Sequence, residues 1–133
     1  MNRLNAVLFV ALLSSLLVGC KDSGTEPDTT TPPPATGGSV SFSGRILPTL
    51  TTFGCTGCHG GTSGLTVTSV ASLLAGGAHG PAVVAGDAAN SILYKKLLAT
   101  PPFGARMPEG GPYLPDSTVA AVATWINEGA KNN

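Results

Sequence analysis

"FGCTGCHGGTSG", residues 53–64, sets two cysteines three positions apart, a histidine directly after the second, and five glycines within twelve residues. Thiols and an imidazole are ligands and nucleophiles, and glycine lets a backbone bend tightly or approach another group closely. The chemistry of this cluster depends on what the remainder of the chain supplies.

Immediately upstream, Phe42, Ile46, Leu50 and Phe53 recur at spacings of four, four and three, a helical stripe that runs into Cys55. Pro48 cannot sit deep in a helix, so the regular part is expected to begin near Leu47 or Pro48. Downstream, a loop is expected from Gly54 to Gly64, then a short helical segment from Ser69 to Ala75. Ser69 would cap that segment, with Val70, Leu73 and Leu74 turned inward.

After a further loop, Asp87 reads as the N-cap of a helix reaching about Ala99, with Ile92, Leu93, Leu97 and Leu98 on its apolar face. Thr100-Pro101-Pro102 stops it. Residues 103–115 are rich in turn formers. A last helix opens at Pro115 or Asp116, carries Val119, Val122, Ala123 and Ile126 at helical spacing, and ends at Gly129. No segment alternates at period two. The predicted fold is all-α, about four short helices joined by long loops.

The chain has 133 residues, room for one modest domain, and its 7 Lys plus Arg balance 7 Asp plus Glu. That balance gives no electrostatic drive toward nucleic acid. Much of the 42% hydrophobic fraction lies near the N-terminus, where Ala6 to Val18 is broken only by Ser14-Ser15. The run is short for a membrane span and fits the apolar core of a signal peptide.

It ends in Leu17-Val18-Gly19-Cys20, which resembles a bacterial lipobox and makes Cys20 the expected lipidation site after removal of residues 1–19. Residues 20–38 continue as a Thr-, Pro- and Gly-rich stretch without apolar periodicity, a tether with a reach of about 25 Å. The expected folded domain is 39–133, and the expected location is exported and membrane-anchored, facing the periplasm or the cell exterior. A domain of this size, poor in large side chains, calls for a disulfide, a metal or a cofactor.

With Cys20 assigned to lipid, Cys55 and Cys58 remain as a pair. A structural zinc site wants four ligands, and Cys55, Cys58 and His59 supply at most three. A dithiol oxidoreductase places its pair at a helix start after a strand, and no strand precedes this one. Covalent haem c needs two thiols at this spacing, to add across two vinyl groups, and a histidine next in sequence to reach the iron, which Cys55, Cys58 and His59 provide. A sixth iron ligand is then available in Met107, the one methionine besides Met1, in a Pro/Gly-rich loop. His79 is its rival as a ligand, or a residue that meets a haem propionate.

With these residues in place, the domain resembles a single-haem, class I cytochrome c, and within that group the planctomycete-type cytochrome c. The resemblance rests on a lead-in with Phe42, Ile46, Pro48 and Leu50, the Cys55–His59 motif, a "GPAVVAGDAANS" stretch at 80–91, Met107-Pro108, and "WINEGA" at 125–130. It implies a cytochrome c fold around one covalent haem, with the first and last helices crossing at a haem edge. It also implies His59 as proximal and Met107 as distal ligand of the haem iron.

Arg106 and Tyr113 are further candidates for propionate contacts, Lys95-Lys96 for a solvated helix face or docking patch, and Trp125 for a core anchor. The expected function is single-electron transfer between membrane-associated redox proteins, without catalysis by the chain itself. Two other functions stay open: a haem subunit with an open iron position, acting as a peroxidase or gas sensor, and a haem-free lipoprotein with a Cys55–Cys58 disulfide.

Overall fold

A computed structural model describes residues 39–133, so the expected signal peptide, Cys20 and the tether lie outside the described residues. The domain comprises five α-helices: α1 (Leu47–Thr52), α2 (Cys55–Cys58), α3 (Val70–Ala75), α4 (Ile92–Leu97) and α5 (Asp116–Asn127). A π-helical turn, Phe42–Ile46, runs directly into α1, and a single 3-10 turn spans Thr62–Gly64. Among the described residues there is no strand, only the isolated bridges Gly60–Thr66 and Gly77–Gly80. The all-α expectation holds, and the helix beyond the expected four is α2, which opens what the sequence presented as a loop.

The first helix starts earlier than Pro48 allows in an unbroken α-helix. Ser41 caps it by accepting from Gly44 N, and the amides of Ile46 and Leu47 reach back five residues, to Ser41 O and Phe42 O. Widening this turn to the π register lets Pro48, which has no N–H, fall in the first turn of α1 where none is needed. The stripe then buries Phe42, Ile46 and Leu50 completely.

The helix expected to be capped by Asp87 instead begins four residues later, at Ile92. Asp87 accepts from Asn90 N and Asn90 Nδ2 and so closes a turn, holding its own carboxyl below the usual carboxylate range. Ser91 is the N-cap residue. Its fully buried hydroxyl accepts from Val84 N at 2.9 Å and donates to Asp87 O at 2.8 Å. That side chain fastens the 84–91 loop before α4 starts.

The last helix follows expectation. Gly129 takes φ +100°, Gly129 N donates to Ile126 O, and Ala130 N donates to Trp125 O, the paired bonds of a Schellman ending. Val122, Ala123, Trp125 and Ile126 from α5 are buried against the Phe42–Ile46 turn and α4. Trp125 is the anchor. Its ring lies 5.4 Å from that of Phe42, and its indole N–H donates to Lys131 O at 2.9 Å.

Leu74 departs from its expected inward position and is 41% exposed. The six-residue α3 turns only Val70 and Leu73 inward, and the Leu73 carbonyl is taken by the amides of Ala82 and Val83.

Candidate functional site

Phe53 ends α1, and Gly54 takes φ +73°, a left-handed conformation that breaks the helix and lets a new one start in another direction. Cys55 and Cys58 then occupy the two ends of one helical turn. Residues three apart on a helix share a face, so the turn presents both thiols on one side. Cys58 is exposed and Cys55 half-buried, and neither is in a disulfide. His59 closes the turn by donating its amide to Cys55 O at 2.8 Å, and its backbone leaves helical geometry there. Its carbonyl accepts from Val67 N at 3.2 Å, which fixes the residue against the core.

The His59 side chain carries the one buried side-chain polar atom among the described residues that lacks a hydrogen-bond partner, Nδ1. A buried imidazole nitrogen normally has a hydrogen-bond partner, and none of the described residues supplies one here.

Cys55, Cys58 and His59 line a cavity of about 730 Å³, and Met107 and His79 line it too. The other walls include Leu50, Phe53, Val67, Leu93 and Leu97. The volume lies within the range of roughly 300–1,000 Å³ of small-molecule and cofactor sites, and the apolar lining with a few ligating groups is their usual character. Two thiols on one face, an imidazole and a thioether on one apolar cavity suit a covalently held haem. No three His, Cys, Asp or Glu side chains gather into a metal-binding group among the described residues, short of the four ligands a structural zinc site wants. Burial pushes the Cys55 thiol up from its ordinary value, a backbone hydrogen bond partly offsets this, and the neighbouring Cys58 adds to the rise. An attacking dithiol needs the opposite shift.

One wall is built from glycines in close approach. A Cβ on Gly76, which has φ +77°, would lie 1.9 Å from Gly80 O, and one on Gly77 would lie 2.7 Å from Ser63 O. Ala78 N donates to Ser63 O at 2.9 Å, so the 76–80 turn rests backbone to backbone on the loop that follows the haem-type motif. His79, on that turn, is exposed and stacks on Phe103 with ring centroids 4.1 Å apart.

The Met107 loop closes another side. Met107 is half-buried against the core, and its amide donates to Lys96 O at 2.8 Å. Arg106 Nε donates to Leu97 O at 2.8 Å, and its guanidinium lies 4.2 Å from the Tyr113 ring centroid. These two donors satisfy carbonyls that the end of α4 leaves open. Arg106 and Tyr113 are thus paired with each other, and neither lines the cavity.

Lys96 departs from its expected place on a solvated face. It is only 9% exposed, lines the cavity, and donates from Nζ to Phe103 O and Ala105 O. The signal for it lay in the register: Lys96 falls four residues after Ile92 and three after Leu93, on the apolar stripe. Phe103, which receives both His79 and Lys96, had no such signal in its turn-rich segment.

Residues 55–109 match the family described as Planctomycete cytochrome C, beginning at the first cysteine of the motif and ending two residues after Met107. Searches of the curated proteins and of the solved structures give no match. The match implies covalent haem c and a c-type cytochrome engaged in electron transfer, and both Cys55 and Cys58 lie within the matched residues. The chain therefore contains a helical, cytochrome c-like domain.

Proposed function

We propose that this protein is a membrane-anchored monohaem cytochrome that passes single electrons between membrane-associated redox proteins. The observation that carries the reading is the convergence of Cys55, Cys58, His59 and Met107 on one apolar cavity. A haem held there supplies a one-electron ferric–ferrous couple. The protein's part is to hold, orient and seclude.

Cys55 and Cys58 would hold the haem by two thioether links, each made by adding S–H across a vinyl C=C with no atom lost. The single helical turn α2 spaces the two sulfurs for this. His59, fixed at the end of that turn, and Met107 would be the two protein ligands of the haem iron. A thioether ligand and an apolar wall both disfavour the extra charge of the ferric state, so His/Met ligation raises the potential. Leu50, Val67 and Leu97, each almost fully buried, keep water from that side of the site.

Lipidation at Cys20 and the tether to residue 38 hold the domain at a membrane surface, exported and facing the periplasm or the exterior. A leash of this length keeps partners at high effective concentration. Charge balance gives no reason for nucleic-acid binding.

Expression in a host with cytochrome c maturation, followed by a pyridine haemochrome spectrum, is expected to give one haem c per chain. An absent signal would overturn the reading. In the ferric protein an iron–thioether absorption band is expected, and Met107→Ala is expected to abolish it while the covalent haem stays. Retention of the band in that variant would remove Met107 from the iron. Cys20→Ser is expected to move the protein from the membrane to the soluble fraction, as followed by immunoblot.

A further inference from the structure

Lys96 is a buried cation on the wall of the cavity, and both hydrogen bonds of its ammonium run to the segment that ends in Met107. Its ammonium donates to Phe103 O and to Ala105 O, and it lies 4.9 Å from the Phe103 ring centroid. Its own carbonyl accepts from Met107 N. Side chain and backbone of one residue therefore hold the loop at 103, 105 and 107. Residues 103–106 form no regular element, Gly104 sits at φ +56°, and the loop's other ties are Arg106 Nε to Leu97 O and the His79–Phe103 stack.

Burying an ammonium is costly unless its donors are satisfied, and hydrogen bonds from a charged group are worth about twice those of neutral pairs. This one is spent on two carbonyls that a wandering loop would turn to solvent. The aromatic face below it adds a cation–π contact.

We propose that Lys96 is the positioning residue for the Met107 thioether: its ammonium fixes the 103–107 loop so that the sulfur is kept at the cavity wall. The inference rests on the reading of Met107 as an iron ligand. A merely structural lysine would support the fold without governing how firmly the sulfur competes for the iron.

The test is Lys96→Met, which keeps an apolar stem of similar length and removes both the charge and the donors. In the haem-loaded protein the expected result is one haem per chain as in the wild type, a weakened ferric iron–thioether band, and tighter binding of added imidazole. The gain in imidazole affinity is expected at about tenfold to a hundredfold, the equilibrium equivalent of losing a hydrogen bond to a charged group. Wild-type imidazole affinity in Lys96→Met, with or without a lower denaturation midpoint, would overturn the proposal.

Should Lys96→Met load no haem, the wild-type ferrous protein decides. Its Lys96 ammonium protons are expected to exchange slowly and to show magnetisation transfer to Phe103 and Ala105 in NMR spectra. A freely exchanging ammonium would overturn the clamp. Failure of the haem reading itself is distinct, because it shows as a missing haemochrome in the wild type.

Discussion

Cys55 and Cys58 look equivalent in the sequence and differ in the fold. Cys58 is exposed, and Cys55 is half-buried with its thiol pushed up, first of all by burial. The thiolate is the reactive form, so in the reduced, haem-free protein iodoacetamide is expected to modify Cys58 first. Modification of Cys55 is expected to gain speed only at a higher pH, and peptide mapping by mass spectrometry at several pH values checks the order. The sign for stability follows: a raised thiol pKa favours the fold while the thiol is neutral, and that contribution is lost as pH rises above the ordinary thiol range. Equal labelling of the two thiols would contradict the burial of Cys55. The identity and spacing of these residues were plain in the sequence. Their inequality was not, because it comes from the hydrophobic core against which only Cys55 is packed.

At the scale of elements, helix stripes were legible and helix ends less so. Phe42, Ile46, Leu50 and the α5 positions face the core as their spacing foretold. The start of α4 was misplaced because Asp87 and Ser91 both make good N-caps, and the choice between them was made by a tertiary contact, Val84 N to Ser91 Oγ. Ser91→Ala leaves that amide without its partner and is expected to cost about 1–3 kcal/mol, measured by denaturant unfolding. The 76–80 turn is a stricter case. Gly76→Ala must both adopt a left-handed φ and displace the Gly80 carbonyl, so its loss is expected to exceed the roughly 1 kcal/mol that alanine pays at an unobstructed left-handed site. A stability loss no larger than that value would show that the backbones part easily. The loops around Met107 were the least legible part. Their order comes from Lys96 and Arg106 reaching across from, and back to, α4, a pattern that no local periodicity encodes.

For the whole molecule, a large share of the packing passes through Trp125, which meets the Phe42 ring and binds Lys131 O. Trp125→Ala is expected to cost about 3–5 kcal/mol, a large fraction of the stability of a domain this small, and to show as a steep fall in thermal midpoint. The two ends of the described chain are sewn together beside it. Val40 N donates to Glu128 Oε2, Phe42 N to Asn133 Oδ1, and the hydroxyls of Ser41 and Ser43 to Asn133 O. This seam has a mechanical consequence. A pull arriving along the chain at residue 39 is shared at once with α5 through Glu128 and Asn133. The load is borne there, in shear between the two ends, before it reaches the turn that carries Cys55, Cys58 and His59.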